Sequence, residues 1–277
     1  MKNRTTKFGI ALPQMFPDGK INPQIISEFV TQVESLNYDS VWVQDQLFSR
    51  LPTLSGLALL TYAAAFSHKI KLGTSVMLTA LRSPVHFAKE VASVDQLSNG
   101  RLILGIGIGT STEIYPAFGI TPEHRVTRFE EGITLMKLIW GKDHVTFNGK
   151  FSQLSDVAVA LEPYQKPYPP IWFGGYAEPA LRRAVKIGDG WMGAGASSTS
   201  AFKKCLGMIR QYLSEAGRAP ADFPLSKRVY LAIGKDKKKL HEKLMDWFAR
   251  HYNNPDMAAK VAVFGSKEEC LEGLEHI

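Results

Sequence analysis

Ile70-Lys71-Leu72-Gly73-Thr74-Ser75-Val76-Met77, then Pro84 to Leu97, then Arg101-Leu102-Ile103-Leu104-Gly105-Ile106, is the stretch that decides the fold. Two apolar, β-rich runs flank a segment of helical period, with Pro84 in a first turn where its missing N–H is not needed. Runs of the same kind stand upstream, at Phe8-Gly9-Ile10-Ala11-Leu12, closed by Pro13, and at Ser40-Val41-Trp42-Val43. The four strand starts, Phe8, Ser40, Ile70 and Arg101, are spaced 32, 30 and 31 residues apart. Between the first two, Pro23 to Ser35 places Ile25, Ile26, Phe29, Val30 and Val33 on one helical face, and between the second and third Leu57 to Phe66 is an Ala- and Leu-rich helix. Continuously apolar strands alternating with helices predict parallel β-strands covered by helices. A doubly wound sheet and a closed barrel both satisfy this; the number of further units favours the barrel.

The regularity breaks after Gly109. Val126 to Trp140 is an amphipathic helix, and His144-Val145-Thr146-Phe147-Asn148-Gly149-Lys150-Phe151 carries an Asn-Gly hairpin signal. The hairpin is therefore an antiparallel excursion between the fourth and fifth strands. After the Pro-rich connector Pro163 to Pro170 come a fifth strand at Ile171-Trp172-Phe173, a helix from Pro179 to Ile187 and a sixth strand at Gly190-Trp191-Met192. A helix around Ala201 to Ala216, a seventh strand at Val229-Tyr230-Leu231-Ala232-Ile233 and helices at Lys238 to His251 and Lys267 to His276 complete the chain. No linker or low-complexity tract interrupts it, so residues 1–277 read as one domain. No apolar run remains for an eighth strand, which leaves the expected barrel one βα unit short and its edges unpaired.

The chain has 277 residues, 45% hydrophobic and 21% charged, values of an ordinary globular protein rather than a disordered or fibrous one. Its net charge of +7 is spread over a large surface. The polar N-terminus lacks the apolar core of a secretory signal, and no apolar run reaches the length of a membrane span. Cys205 and Cys270 cannot make a disulfide framework, so a reducing, cytoplasmic setting is expected. The seven histidines show no metal-ligand spacing, and no G-x-S-x-G elbow points to a hydrolase. Lys235, Lys237, Lys238, Lys239 and Lys243 interleave with Leu240 and Leu244, which describes the wet face of an amphipathic helix rather than a nucleic-acid stripe.

The candidate site residues cluster at strand ends. Gly105-Ile106-Gly107-Ile108-Gly109 has G-x-G-x-G spacing and no long helix after it, which is a close-packing strand end rather than a dinucleotide loop. Gly174-Gly175 lies directly between the fifth strand and the next helix, where free backbone N–H groups make an anion site, a tight βα turn without a ligand being the alternative. Asp45 follows the second strand at the face where a barrel enzyme holds its polar groups, although a capping role is open to it too. Thr74 and Ser75 end the third strand, and Glu113 sits in the loop after the glycine run.

Taken together, the strings Ile70 to Val76, Arg82-Ser83-Pro84-Val85, Phe87-Ala88-Lys89-Glu90 and Asp95 to Gly107 resemble the luciferase-like monooxygenase family. Arg125, Arg128 and Glu130-Glu131 leading to Leu138-Ile139-Trp140, then Pro167 to Gly175 and Gly188-Asp189-Gly190-Trp191, extend the similarity in order over nearly the whole chain. The resemblance implies a TIM-type (β/α)8 barrel, with an insertion after strand four, that binds coenzyme F420, a deazaflavin, or alternatively FMN. It implies an oxidoreductase that passes hydride to a small organic substrate, or a monooxygenase that uses O2.

In the family the cofactor ring lies against the third strand at a non-proline cis peptide, which maps onto Ser75-Val76. The phosphate end maps onto Gly174, Gly175, Tyr176 and Ala177. Asp45, Gln46, Ser75 and Val76 are the expected ring contacts, Thr74, Gly107 and Thr110 are further expected cofactor-binding residues, and Asp45 and Glu113 are the catalytic candidates. The deazaflavin branch carries Asp-His after the second strand, whereas this chain reads Asp45-Gln46. An amide positions a ring edge but cannot act as an acid near neutral pH. Thr110 stands where dehydrogenase members carry a glutamate, which argues against a sugar-phosphate dehydrogenase. The resemblance further implies a homodimer and a flavin or F420 reductase as partner, with neither nucleic acid nor membrane involved; a flavin-holding barrel without turnover is the rival from another class.

Overall fold

The computed structural model describes residues 6–109 and 111–277. They form two compact units, Met1–Trp172 and Phe173–Ile277. In the first unit β1 (Gly9–Ala11), α1 (Pro23–Ser35), β2 (Ser40–Val43), α2 (Gly56–Ala65), β3 (Lys71–Thr74), β4 (Met77–Leu78), α3 (Pro84–Leu97), β5 (Leu102–Gly107) and α4 (Arg125–Gly141) alternate as the spacing predicts. β1, β2, β3 and β5 pair in parallel, with Trp42 opposite both Ala11 and Gly73, and Gly73 opposite Ile103. Val41 and Val43 are buried on one face of β2, against the helices. Trp42 points to the other face and makes glycine obligatory beside it. A Cβ on Gly73 would lie 2.2 Å from the indole, and one on Gly9 2.3 Å from its Nε1. The Trp42 ring also packs on Trp172 at 5.7 Å.

The helices start where the sequence provides caps. The Asn22 and Ser83 side chains accept from the amides of Gln24 and His86, and a proline follows each of them. Ile26, Val30 and Val33 are buried on α1, whereas Ile25, expected on that face, is 52% exposed because it falls at the edge of the apolar arc. The third strand, expected unbroken over residues 70–77, is interrupted at Ser75-Val76 and resumes as β4 alongside β5.

Arg101, at the base of β5, is the buried cation of this unit. Its guanidinium donates to the carbonyls of Ser98, Ile70, Ala64 and Ser67 and to the Ser67 hydroxyl, at 2.7–3.1 Å. Burial pushes its pKa down, and the Glu34 charge opposes this. Glu34 itself accepts the amides of His68, Lys69 and Ile70 and so fixes the entry into β3.

The hairpin is present as β6 (His144–Asn148) and β7 (Gln153–Ala158), but not with the two-residue Asn-Gly turn. Its loop runs over residues 149–152, closed by Gly149 N–H donating to Ser152 O at 2.9 Å. The Glu131 carboxylate on α4 accepts the amides of Lys150 and Phe151 at 2.7 and 2.9 Å, and this tertiary anchor overrides the local turn preference.

β8 (Ile171–Gly174) lies at the boundary between the units. The second unit contains α5 (Glu178–Ile187), β9 (Gly190–Gly193), α6 (Thr199–Glu215), β10 (Leu225–Lys227), β11 (Tyr230–Ile233), α7 (Lys237–Tyr252), α8 (Met257–Val261), β12 (Ala262–Gly265) and α9 (Lys267–Glu275). Here the seventh strand differs from expectation. β10 pairs with β9, whereas Tyr230–Ile233 pairs in parallel with β12, a strand that the sequence reading does not include. A four-residue strand ending in glycine gives too little periodicity to be seen alone. Tyr230, Leu244, Phe248 and Ala258 form the core beneath this pair. Among the described residues no helix is long and apolar enough to cross a membrane, and no three His, Cys, Asp or Glu side chains could hold a metal ion.

Candidate active site

The C-terminal ends of β2, β3 and β5 bring most of the expected ring contacts together. Ser75 N–H donates to Val43 O at 2.7 Å, and the buried Thr74 hydroxyl donates to Gly105 O at 2.7 Å. Together they tie the end of β3 to both neighbours. The Ser75-Val76 peptide is cis, at the position the resemblance implies, and both residues are half-buried. Gly107 is buried and stands opposite Leu78. Gly109 follows at φ +81°, a conformation that favours glycine, with the Leu78 side chain 3.2 Å from where its Cβ would be.

Asp45 is buried down to 5% of its side-chain surface, and both its oxygens are engaged. Oδ2 accepts the Leu78 amide at 2.9 Å, and Arg82 Nη2 donates to Oδ1 and Oδ2 at 2.8 and 3.0 Å. The carboxylate therefore braces the segment that leaves the cis peptide. Arg82 is in turn held 5.5 Å above the Phe87 ring. Gln46 is half-buried beside this pair in sequence.

Sequence reasoning missed Gln14. Its Nε2 donates to the carbonyls of Gln44 and Leu54 at 2.7 and 2.8 Å, while its Oε1 accepts the Gln44 amide at 2.8 Å. At 6% exposure it pins the turn that presents Asp45 and Gln46. The only signal was a polar side chain directly after the Pro13 that closes β1. Glu113 is exposed, with Ser111 Oγ accepting its amide at 3.3 Å. Tyr115, behind that loop, is buried; its hydroxyl donates to Ile108 O and its pKa is raised by burial. Thr110 lies outside the described residues.

Two buried polar atoms at this mouth, Thr79 Oγ1 and Arg82 Nε, have no hydrogen-bond partner among the described residues. Unsatisfied buried groups of this kind are what a polar ligand edge satisfies. The backbone of Ser75-Val76 with its small neighbours, one guanidinium and two unpartnered polar atoms fit a flat, polar-edged ring system.

In the second unit, Gly174 to Ala177 lead into α5. Gly175 O accepts Trp191 Nε1 at 2.8 Å, and a Cβ on Gly175 would lie 2.9 Å from that of Ala180, so glycine keeps the turn tight. Ala177, the N-cap, is extended and offers no capping side chain, and Pro179 in the first turn has no N–H. The amide of Glu178 is thus left toward an incoming anion. The Glu178 carboxylate at the same end turns to Arg182 at 3.0 Å. Tyr176 is 61% exposed.

The profile of the luciferase-like monooxygenase family matches residues 6–276. The chain belongs to this family. Among its relatives, an F420-dependent glucose-6-phosphate dehydrogenase of Kineococcus radiotolerans is 29% identical over 248 residues, 86% of this chain and 71% of the relative. A solved F420-dependent secondary alcohol dehydrogenase, in complex with an F420-acetone adduct, superposes with a TM-score of 0.82 at 21% identity. It covers 98% of this chain and 90% of its own. The FMN-bound oxygenating constituent of 3,6-diketocamphane monooxygenase from Pseudomonas putida superposes with a TM-score of 0.75 at 18% identity, over 96% and 87% of the two chains. The fold class of these luciferase-like neighbours, the α/β TIM type, is therefore that of this chain. Within that family frame, the cis peptide and the pinned Asp45 turn are local features of β3 and β2, built from Thr74, Gln14 and Arg82.

Proposed function

We propose that this chain is a coenzyme F420-dependent oxidoreductase that transfers hydride between the cofactor and a small organic substrate. The family match over residues 6–276 carries the reading. The F420-dependent dehydrogenases among its relatives incline it to the deazaflavin. When bound, the deazaflavin supplies the hydride chemistry; the protein supplies position and a dry, preorganised environment. Ser75, Val76, Gly107 and Gln46 would hold the ring, Thr74 and the Asp45–Arg82 pair keeping that backbone in place. Gly174 to Ala177 would hold the phosphate through backbone amides and the α5 dipole. Gln46 orients through its amide and carries no exchangeable acid proton near neutrality. Of the two carboxylates, Asp45 is committed to Arg82 and Leu78, which leaves Glu113, exposed and without a side-chain partner among the described residues, as the candidate for proton transfer. A homodimer and a cytoplasmic setting belong to the same reading, as does a partner F420 reductase.

Gln46 in the place of the deazaflavin branch's histidine favours a second reading, an FMN-dependent monooxygenase that uses O2 and a partner reductase. Titration of the purified protein with coenzyme F420 and with FMN, followed by cofactor fluorescence, separates the two. Tighter F420 binding with hydride exchange is expected. Tight FMN binding with reductase-dependent O2 consumption selects the second reading, flavin binding without turnover selects a binding protein, and binding of neither overturns the proposal.

A further inference from the structure

The second unit carries a group of cations that the cofactor reading does not use. β10 ends at Lys227, so Lys227 and Arg228 emerge from the C-terminal end of the parallel β9–β10 pair, the side of a strand at which this architecture places ligands. Lys227 Nζ donates to Ser197 O at 2.8 Å and stands 5.4 Å from the Phe202 ring. Arg228 is half-buried, its guanidinium 4.9 Å over the Tyr230 ring.

The loop after β9 closes down on the same spot. A Cβ on Gly195 would lie 2.8 Å from Arg228 Cδ and 2.9 Å from the Tyr230 hydroxyl. Tyr230 and Tyr252 share a hydrogen bond between their hydroxyls, and His251 stacks on Trp247 at 4.4 Å. Burial, and secondarily the Arg228 charge, push the His251 pKa down to about 4, so at neutral pH it adds no third cation.

Neither Lys227 nor Arg228 enters an ion pair among the described residues, and no hydrogen bond there engages the Arg228 guanidinium. A half-buried guanidinium, aligned on a ring face and lacking an acceptor, is costly alone and suited to a planar or tetrahedral oxyanion. We propose that Arg228, backed by Lys227 and the Tyr230–Tyr252 hydroxyl pair, is a binding site for a carboxylate or phosphate group of a small molecule.

The test is calorimetric titration of the full chain with inorganic phosphate at constant ionic strength. Saturable binding at one site is expected. Arg228→Gln should weaken it by about tenfold or more, the size of a lost charge-assisted contact. Arg210→Gln, an exposed position on α6, should leave it unchanged. Absence of saturable binding, or equal affinity in an Arg228→Gln protein of unchanged Tm, overturns the proposal. A readout that needs no variant is the His251 titration followed by proton NMR: saturating phosphate should raise its midpoint by neutralising Arg228, and an unmoved midpoint counts against the site. Repeating the titration with cofactor-saturated protein distinguishes the anion's source. Retained phosphate binding assigns the site to substrate, and competitive loss assigns it to the cofactor's own acidic groups. Failure of any cofactor to bind would remove the reading of the previous section while leaving the phosphate result standing.

Discussion

Replacing Asp45 tests whether this carboxylate acts by position or by proton transfer. It accepts one amide at 2.9 Å and two contacts from Arg82 at 2.8 and 3.0 Å. Breaking a buried pair by removing one partner costs about 3–5 kcal/mol. The two partners are not equally buried, with side-chain exposures of 25% for Arg82 and 5% for Asp45. Arg82 without its partner regains water, so Asp45→Asn should cost about 2 kcal/mol, the lower figure reflecting that screening. Arg82→Met strands the buried carboxylate and should cost about 3–4 kcal/mol. The double variant should recover about 1–3 kcal/mol of the summed loss as a coupling term. Urea unfolding followed by circular dichroism measures all three. A positioning role also predicts weaker cofactor binding in Asp45→Asn with an unchanged shape of the pH–rate profile. If the profile loses a limb while stability moves by less than about 0.5 kcal/mol, Asp45 is a proton carrier and the reasoning fails.

Three further outcomes follow from the geometry. Arg101→Met removes every donor from a cluster of buried carbonyls and should lower unfolding stability by about 3–5 kcal/mol, readable in the same urea assay. Burial raises the Glu34 carboxyl, but the amides of Lys69, Ile70 and His68 outweigh it and leave its pKa below 4.5. Its contribution is then full above pH 4.5 and fades as pH falls through the lower folded value, so the gap between wild type and Glu34→Gln should close in acid melts. His251 is depressed from 6.5 to about 4, so the unfolded state binds the extra proton between those values. Stability should rise with pH across that window, and this slope should shrink in His251→Phe when Tm is followed from pH 4 to 7.

What was legible in the sequence was whatever repeats. The α1 and α3 boundaries, Pro23–Ser35 and Pro84–Leu97, are those read from the apolar period and the first-turn proline of α3, because the side-chain capping and burial that fix them are local. The elements that differ are decided by distant partners. The Asn148-Gly149 turn yields to Glu131 on α4, and Ala262–Gly265 becomes a strand only because Tyr230–Ile233 is there to pair with it. The site divides in the same way. Ser75-Val76 and Gly174-Gly175 are candidates through strand ends, glycines and the family resemblance, whereas Gln14 and Arg82, which hold the β2–β3 backbone, carry no spacing of their own.

The same distinction separates the two candidate sites by kind. At the β2–β3 mouth the charged groups satisfy each other: Arg82 answers Asp45, and what is left over is a pair of neutral or singly unpartnered polar atoms, Thr79 Oγ1 and Arg82 Nε. Such a mouth selects by shape and hydrogen-bond pattern, as a ring system requires, and carries little net charge of its own. At the end of β10 the balance is reversed. Among the described residues Lys227 and Arg228 have no carboxylate partner, and the nearby His251 ring is kept neutral at neutral pH. Charge is therefore the property this second place is built to recognise. A ligand of this second place carries an acidic group, and a neutral apolar compound would leave Arg228 half-buried and unanswered, at a cost in affinity that the Arg228→Gln comparison measures directly.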